Sequence, residues 1–492
     1  MRIHFDRRCR VRAGVRSTIT LPLIGLAACA TVPKLGARAQ LASVATLRTE
    51  RSFAGTPSAW PTDLWWKDFG DPQLDQLIDE ALAHAPTVEV AAGRIRVAAA
   101  QADFARAALL PKAGLLATAR YSRITQSIGL PTDGEWHLLG AGLFNASYDI
   151  DLWGKNRSAL RAAVSEQKAG EADAAATRLA LATSVASAYA DLSQLYLRRS
   201  VATEALQVRR ATLDLVTRRF NAGLDPRTAM DQAQAGAEAA TGVLAAIDEA
   251  IGLNRNAIAA LLGAGPDRGR DLRPPALSRR RPEGLPADAA IDLVGRKPEI
   301  VSARWRVEAE AQRIGVAHAG FYPNVSIAGL LGLASFGLSN LFRGASVIGS
   351  VGPAVSLPIF DGGRLRANYR GASARYDIAV AHYDEALLRA LHDAADAVTS
   401  QSALAARQQA ADSAVSRQEA AYRLSLMRYE GGLSDFQSVL IVENALLDAR
   451  DQAASLRLRG FALDIALVDA LGGGFRGALP TTRITPSDGT AR

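Results

Sequence analysis

The chain has 492 residues, with 57 lysines and arginines against 49 aspartates and glutamates, which gives a formal net charge of +8. Six of those arginines and one aspartate lie within residues 1–28, so a chain cleaved after residue 28 keeps 51 basic and 48 acidic residues, a net charge of only +3. That balance removes the main support for a nucleic-acid-binding protein, and the basic run 279–281 is predicted to be a solvated linker. The only cysteines, Cys9 and Cys29, exclude a disulfide framework and a cysteine-based zinc site.

The N-terminus has the order of a secretory leader. Its arginines precede the apolar stretch 18–26, which is too short to span a bilayer. The stretch ends in Leu26-Ala27-Ala28-Cys29, which resembles a bacterial lipoprotein signal; in that family, cleavage precedes the cysteine and its thiol carries a diacylglycerol. We predict a signal peptide over 1–28 and a lipidated N-terminal segment over 29–60. Ala30 follows the cysteine where an inner-membrane retention signal would place aspartate, so the predicted location is the outer membrane, lipid-anchored through Cys29 and extending into the periplasm. The alternative is an ordinary signal peptide with a chance cysteine.

The sequence then repeats itself. Residues 81–263 align with residues 293–472, at a shift of 212 near Pro86 and Pro298 and at a shift of 209 farther along the chain. Two copies of this kind usually form one pseudo-symmetric unit rather than two independent domains. We predict a first repeat over 61–270, a linker over 271–286, a second repeat over 287–475 and a polar tail over 476–492.

Each repeat contains one very long helical segment. Residues 155–218 and 364–428 contain no proline and are rich in Ala, Leu, Arg, Gln and Glu, so each is predicted to be a helix on the order of 95 Å long. A glycine turn follows each helix, at 221–224 or 430–433, and a second helix then runs back toward Gly263 or Gly472. The pattern predicts two helical hairpins.

Before each long helix the apolar residues alternate as in β-strands. Segments 142–152, 324–334 and 347–359 show this period of two, and 112–121 shows it more weakly, so we predict hairpins over about 112–152 and 324–360. One apolar and one polar or small face fits lipid outside and water inside, and the flanking aromatic residues favour that interpretation over a soluble sandwich. Four strands cannot close a barrel and open edges are not tolerated in lipid, so the chain must oligomerise, with eight strands as a dimer or twelve as a trimer.

The combined motifs resemble TolC-like outer-membrane efflux ducts, and more closely the lipoprotein branch that serves resistance-nodulation-division pumps. The resemblance covers about residues 60–475. It rests on the turns ending in Gly223-Leu224 and Gly432-Leu433 and on three further segments: 65–74 (WWKDFGDPQL), 149–155 (DIDLWGK) and 357–365 (LPIFDGGRL).

The resemblance implies an α+β membrane protein. The expected assembly is a homotrimer with a twelve-stranded transmembrane β-barrel, four strands per chain, continued by a long periplasmic α-helical barrel. The implied partners are a periplasmic adaptor (membrane fusion) protein, an inner-membrane efflux pump and outer-membrane lipid. The implied function is a passive conduit that exports small molecules, as in antibiotic resistance.

The resemblance also places functional residues at the two glycine turns, 221–224 and 430–433, where similar ducts meet the adaptor; we call these the tip turns. The predicted contact residues are Arg219, Gly223, Leu224, Arg428, Tyr429, Gly432, Leu433 and Ser434. Simple helix termination would explain the glycines, but it would not explain a repeated Arg-aromatic-x-x-Gly-Leu pattern. In similar ducts, an acidic residue nine positions after the second turn glycine often helps to close the aperture. Ile441 departs from that pattern here, and the candidate gate region comprises Asp435, Ile441 and Glu443.

No enzyme, cofactor or metal site is predicted. Residues 472–477 (GGGFRG) satisfy G-x-G-x-x-G, but they follow a helix and open no βαβ unit, so they are predicted to end the helix. The six histidines are scattered, and Asp149 and Asp151, which share one face of a strand, are predicted to be hydrated acids of the lumen. Two alternatives to an efflux duct remain: a structural periplasmic coiled-coil or adhesin lipoprotein, and a duct for type I protein secretion.

Overall fold

The computed structural model describes residues 32–53, 58–123, 136–277, 284–286 and 288–480. The chain forms two compact units. One contains Ala113–Trp153 and Ala317–Tyr369 and holds the β-sheet. The other contains Leu35–Lys112, Gly154–Val316 and the residues from Arg370 onward, and it is helical.

In the described ranges the α-helices are α1 (Pro72–His84), α2 (Pro86–Ala107), α3 (Lys155–Asn221), α4 (Arg227–Leu261), α5 (Asp267–Arg270), α6 (Ala289–Arg296), α7 (Pro298–Ala319), α8 (Arg364–Glu430) and α9 (Phe436–Ala470). Helices α2 and α7 have 22 residues each, α3 and α8 have 67, and α4 and α9 have 35. Helices α3 and α8 run slightly past the predicted ends at 218 and 428, because helical backbone continues until the glycine turn. Among the described residues, no helix combines the length and the apolar character needed to cross a bilayer.

The main core of the helical unit forms where segment 65–74 packs on α3 and α9. Trp65, Trp66 and Phe69 are buried in a short 3₁₀ turn, and the Phe69 ring lies 5.9 Å from that of Phe461. Asp71 then caps α1 by accepting a hydrogen bond from the Gln73 backbone N–H at 3.0 Å. The motif that carried the resemblance therefore builds a helix start and its anchor in the core.

The end of α9 explains the glycine-rich segment 472–477. Gly472, Gly473 and Gly474 all have positive φ angles, which L side chains rarely adopt. A Cβ atom at Gly472 would lie 2.0 Å from the carbonyl oxygen of Arg296, at the end of α6. These glycines end a helix, as predicted, and they also let the chain pass close to a neighbouring backbone.

The sheet has four strands in the order β1 (Lys112–Arg123), β2 (Trp136–Ile150), β3 (Asn324–Phe336) and β4 (Val347–Ser356). Strands β2 and β3 are antiparallel, as are β3 and β4. Strand β2 begins six residues before the predicted start at 142. Strand β4 stops before the predicted end at 359, and Pro358 could not donate a ladder hydrogen bond there.

The strand register makes one face of the sheet almost entirely apolar. Tyr148 pairs with Ile327, and Val325 pairs with both Ile150 and Val355. Because side chains alternate along a strand, the residues between these positions form the other face. This second face carries the polar residues Asn145, Ser147, Asp149, Ser326 and Ser350, together with Leu143 and Leu330. On β1, a Cβ atom at Gly114 would lie 3.1 Å from the Asn145 side chain, so Thr118, Arg120 and Ser122 share this polar face.

Aromatic pairs lie at both ends of the strands. Tyr121 and Trp136 stack at 5.8 Å where β1 ends and β2 begins. At the opposite end, Trp153 stacks on Tyr322 at 4.6 Å and donates its indole N–H to the carbonyl of Pro323 at 2.8 Å. The apolar face therefore lies between two aromatic borders.

Candidate functional site

The first tip turn joins α3 to α4 and has the geometry of a glycine helix cap. Gly223 has a φ of 75°, and the Leu224 N–H donates to the carbonyl of Arg219 at 2.9 Å. A Cβ atom at Gly223 would meet no atom within 4 Å, and Leu224 is 65% exposed. The turn therefore presents the exposed Leu224 side chain next to backbone that no other side chain covers at Gly223.

The second tip turn, between α8 and α9, repeats this geometry. Gly432 has a φ of 70°, and the Leu433 N–H donates to the carbonyl of Arg428 at 2.7 Å. Leu433 is 73% exposed, and the space around Gly432 is again open. Asp435 then caps α9, accepting from the Ser438 N–H at 3.0 Å, and its hydrogen bonds to Ser438 lower the pKa of this carboxyl. The Asp435 carboxylate therefore serves as the N-cap of α9.

A buried charged network joins the two tips. The Arg219 side chain donates to the Asp225 carboxylate at 3.0 Å and lies over the Tyr429 ring, 4.5 Å from its centroid. The Tyr429 hydroxyl donates to the same carboxylate. Tyr429 is fully buried, and burial followed by its bond to Asp225 raises the pKa of the phenol, so the hydroxyl remains a donor. The hairpins of the two repeats are therefore linked through one aspartate.

This network divides the predicted tip residues into two groups. Arg219 and Tyr429 face inward and bind Asp225, while Ser434 is half-buried. The other predicted contact residues are exposed: Gly223, Leu224, Arg428, Gly432 and Leu433. Asp225 was not predicted. Its position directly after a repeated Gly-Leu, where the second tip has Ser434, is the sequence signal that could have identified it.

A second buried charged residue, Glu443, lies on α9 two turns beyond the start of the helix. Its side chain is fully buried, 2.7 Å from Arg209 Nε on α3, and it accepts from the Thr212 hydroxyl at 3.3 Å. Burial raises the pKa of Glu443, while Arg209 and Thr212 oppose that shift. Gly236 on α4 leaves room for this arginine, because a Cβ atom there would lie 2.9 Å from the guanidinium. Sequence reasoning missed Arg209 and Gly236.

The three candidate gate residues do not form one cluster. Ile441 is 59% exposed, Asp435 caps a helix and Glu443 is buried with Arg209. Within the described ranges, no group of three or more His, Cys, Asp or Glu residues is placed to hold a metal ion. The predicted lipidation site, Cys29, lies outside the described residues.

Comparison with known proteins gives one consistent result. The model of the family described as Outer membrane efflux protein matches residues 77–264 and 292–473. The chain is 38% identical over 330 residues to the fusaric acid resistance protein FusA of Burkholderia cepacia, covering 65% of this chain and 62% of FusA. It is 31% identical over 431 residues to outer membrane protein OprJ of Pseudomonas aeruginosa, covering 83% of this chain and 86% of OprJ. The solved structure of VceC, an outer membrane protein of Vibrio cholerae, matches with a TM-score of 0.79 at 41% identity, covering 85% of this chain and 100% of VceC. The chain belongs to the outer membrane efflux protein family and has the TolC-like fold that its motifs predicted.

Proposed function

We propose that this protein is the outer-membrane channel of a tripartite efflux system. The observation that carries the proposal is the strand register, which makes one face of the sheet almost entirely apolar and places most polar side chains on the other. Such a sheet fits lipid on one side and water on the other, and the aromatic pairs Tyr121–Trp136 and Trp153–Tyr322 mark the two borders. The two 67-residue helices supply a periplasmic wall on the order of 100 Å long.

The channel requires more than one copy of the chain. Strands β1 and β4 are the edges of the four-stranded sheet, and unpaired backbone groups are costly in lipid. We assign a homotrimer with twelve strands, which follows the trimeric organisation implied by the family resemblance. Acylation of Cys29 would add a lipid anchor to the barrel.

The tips are the proposed contact with a periplasmic adaptor. Leu224 and Leu433 are exposed apolar side chains next to glycines with open surroundings, so a partner helix could approach the backbone closely. Arg428 adds an exposed positive charge. The pump would supply the energy and select the cargo. The names of relatives mention fusaric acid, pyoverdine and multidrug resistance, so the proposed cargo is small organic molecules.

The test is complementation of a strain that carries the cognate pump and adaptor but lacks this channel. The chain should restore resistance to a pump substrate, whereas Leu224→Asp combined with Leu433→Asp should not. Leu253→Asp, which alters a leucine 62% exposed on α4 and on the order of 40 Å from the tip, serves as the matched control and should restore resistance. All variants must reach the membrane at equal levels. Export of a protein substrate without small-molecule resistance would favour type I secretion instead.

A further inference from the structure

The loop between β3 and β4 is an ordered structure attached to β2. We call residues 337–346 the outer loop; it contains two short 3₁₀ turns, Leu338–Asn340 and Gly344–Ser346. The N–H of Gly337 donates to the carbonyl of Leu138 on β2 at 2.7 Å. The Ser346 hydroxyl donates to the carbonyl of Asn340 at 2.7 Å, which ties the second turn to the first. The outer loop is therefore held in one place on the sheet.

The outer loop folds over the apolar face of the sheet. Gly140 belongs to that face, because an even number of positions separates it from Tyr148 on the same strand. A Cβ atom at Gly140 would lie 2.9 Å from Leu338 Cδ2 and 3.7 Å from Leu341 Cδ2. Glycine at this position therefore leaves room for two leucines of the outer loop on the surface assigned to lipid.

The path of the chain places the outer loop at the outward end of the sheet. Helices α2 and α7 lead directly into β1 and β3, and α3 and α8 follow β2 and β4. All four connections to helices therefore leave one end of the sheet, and the outer loop leaves the other. Since the helices are assigned to the periplasm, the outer loop lies at the level of the outer leaflet.

The outer loop exposes a large apolar side chain next to a cation. Phe342 is 85% exposed and Leu338 is 47% exposed. Arg343 is also exposed, and it forms no ion pair with any residue in the described part of the chain. An apolar ring and a guanidinium at adjacent positions match the two regions of a lipid, its acyl chains and its charged headgroup.

The surroundings of the outer loop carry aromatic rings and positive charge. On the same face of the sheet, Tyr121 stacks on Trp136, and Arg123 is the last residue of β1. Aromatic rings favour the border between acyl chains and headgroups. The outward halves of the four strands, as far as they are described, contain no aspartate or glutamate: 118–123, 136–143, 330–336 and 347–351. The charge at this end therefore complements an anionic headgroup.

The position of the outer loop argues against two other roles. The loop leans over β2, an inner strand, whereas a second copy of the chain would pair with the sheet edges β1 and β4. It also lies on the face opposite to Asn145 and Asp149, so it does not cover the polar side of the sheet. The remaining neighbour of an outward apolar surface in a membrane is lipid.

We propose that the outer loop binds a phosphorylated glycolipid of the outer leaflet. Phe342 lies among the acyl chains, and the Arg343 guanidinium binds a headgroup phosphate through paired hydrogen bonds. The proposal rests on the proposed function, because it requires the apolar face to meet lipid. It adds a lipid-binding site on the outside of the barrel, separate from the path of the cargo.

Lipid A, a phosphorylated disaccharide with acyl chains, is the probe for the headgroup contact. Native mass spectrometry of the full-length protein in detergent should detect bound lipid A, and Arg343→Gln should weaken this binding about fivefold. The matched control is Arg120→Gln, which removes the same charge at the same end of the sheet but from the polar face, and it should leave binding unchanged. Lipid A without phosphates should bind the native chain and Arg343→Gln equally. Equal binding of intact lipid A to these two proteins would overturn the phosphate contact.

A spin label measures the depth of the outer loop independently. In reconstituted bilayers, a label on Phe342→Cys should collide more often with lipid-soluble oxygen than with a water-soluble nickel complex. Labels on Leu331→Cys, which lies on the apolar face, and on Asn145→Cys, which lies on the polar face, calibrate lipid and water. The native chain treated in the same way gives the background signal from Cys29.

The calibration sites separate failure of this site from failure of the channel. A protein that restores export while its label at 342 behaves like the label at 145 would overturn the lipid contact and leave the proposed function intact. A label at 331 that also behaves like the label at 145 would show that the apolar face does not meet lipid, which would overturn both.

Discussion

Replacing Asp225 with asparagine should loosen both tips at once. Asp225 is 9% exposed and accepts from Arg219, itself 14% exposed, and from the fully buried Tyr429. Asparagine keeps the size of the side chain but removes its charge, so the Arg219 guanidinium loses its opposite charge in a desolvated site. Because this one carboxylate joins the two hairpins, loss of its charge should destabilise the tip turns of both repeats.

The magnitude follows from the burial of the three groups. A hydrogen bond to a buried charged group contributes about 1.5–3 kcal/mol, so Asp225→Asn should cost about 2 kcal/mol of local opening free energy. Each 1.4 kcal/mol corresponds to about a tenfold change in an equilibrium, so hydrogen exchange of nearby amides should accelerate roughly thirtyfold. The affected amides should include those of Leu224 and Leu433, which close the turns.

Hydrogen exchange measured by mass spectrometry tests this expectation. The matched control is Asp214→Asn, which removes the partner of Arg218 on the same helix. That pair is two-thirds exposed on both sides, so its loss should change exchange less than about twofold. If Asp225→Asn leaves both turns as protected as the control does, the buried network does not hold the tips together, and the reasoning is wrong.

Three further expectations concern Glu443, the second turn and the anchor. Burial raises the pKa of Glu443 above its ordinary 4.5, so between that raised value and 4.5 the folded chain binds the proton more tightly than the unfolded chain. Lowering the pH through this interval should therefore stabilise the native chain relative to Glu443→Gln, and thermal unfolding of both at several pH values measures this. Gly432→Glu should leave the oligomer and its membrane level intact but lower efflux. A left-handed turn tolerates a side chain poorly, and the new carboxylate would be desolvated at a partner contact. Intact protease resistance together with normal efflux would contradict this expectation. Cys29→Ser should abolish incorporation of labelled lipid, and persisting label would refute the assignment.

Much of the fold could be predicted because its elements depend on local sequence. The long helices require only the absence of proline and a sequence rich in helix formers, and their ends are fixed by Gly223 and Gly432. The strands were recognised by alternation, and the structure aligns their apolar positions on one face. Strand ends were less accurate, because pairing partners determine where a ladder stops and a partner is not visible in one segment.

The charged networks could not be predicted, because they join residues that are far apart in the sequence. Asp225 and Tyr429 are separated by 204 positions, and Arg209 and Glu443 belong to different repeats. Sequence reasoning named Tyr429 as one of eight candidate contacts with a partner protein, because a single turn does not reveal that Asp225 of the other repeat lies opposite. Glu443 was named only for its nearness to the position of Ile441, and its burial depends on α3 packing against α9.

The distribution of apolar residues suggests where a channel of this kind can move. In the described part of the chain, the cluster around Trp65 and Tyr189 contains 22 buried residues, whereas the tip cluster around Tyr429 contains six. A large apolar core is closely packed, so few alternative arrangements of its side chains are possible. The groups of a small charged network can instead exchange their partners for water or for another protein. The tips therefore combine low apolar burial with specific polar links. In the adaptor contact proposed above, the partner would meet the chain where its apolar packing is smallest, at the surface that carries the exposed Leu224 and Leu433.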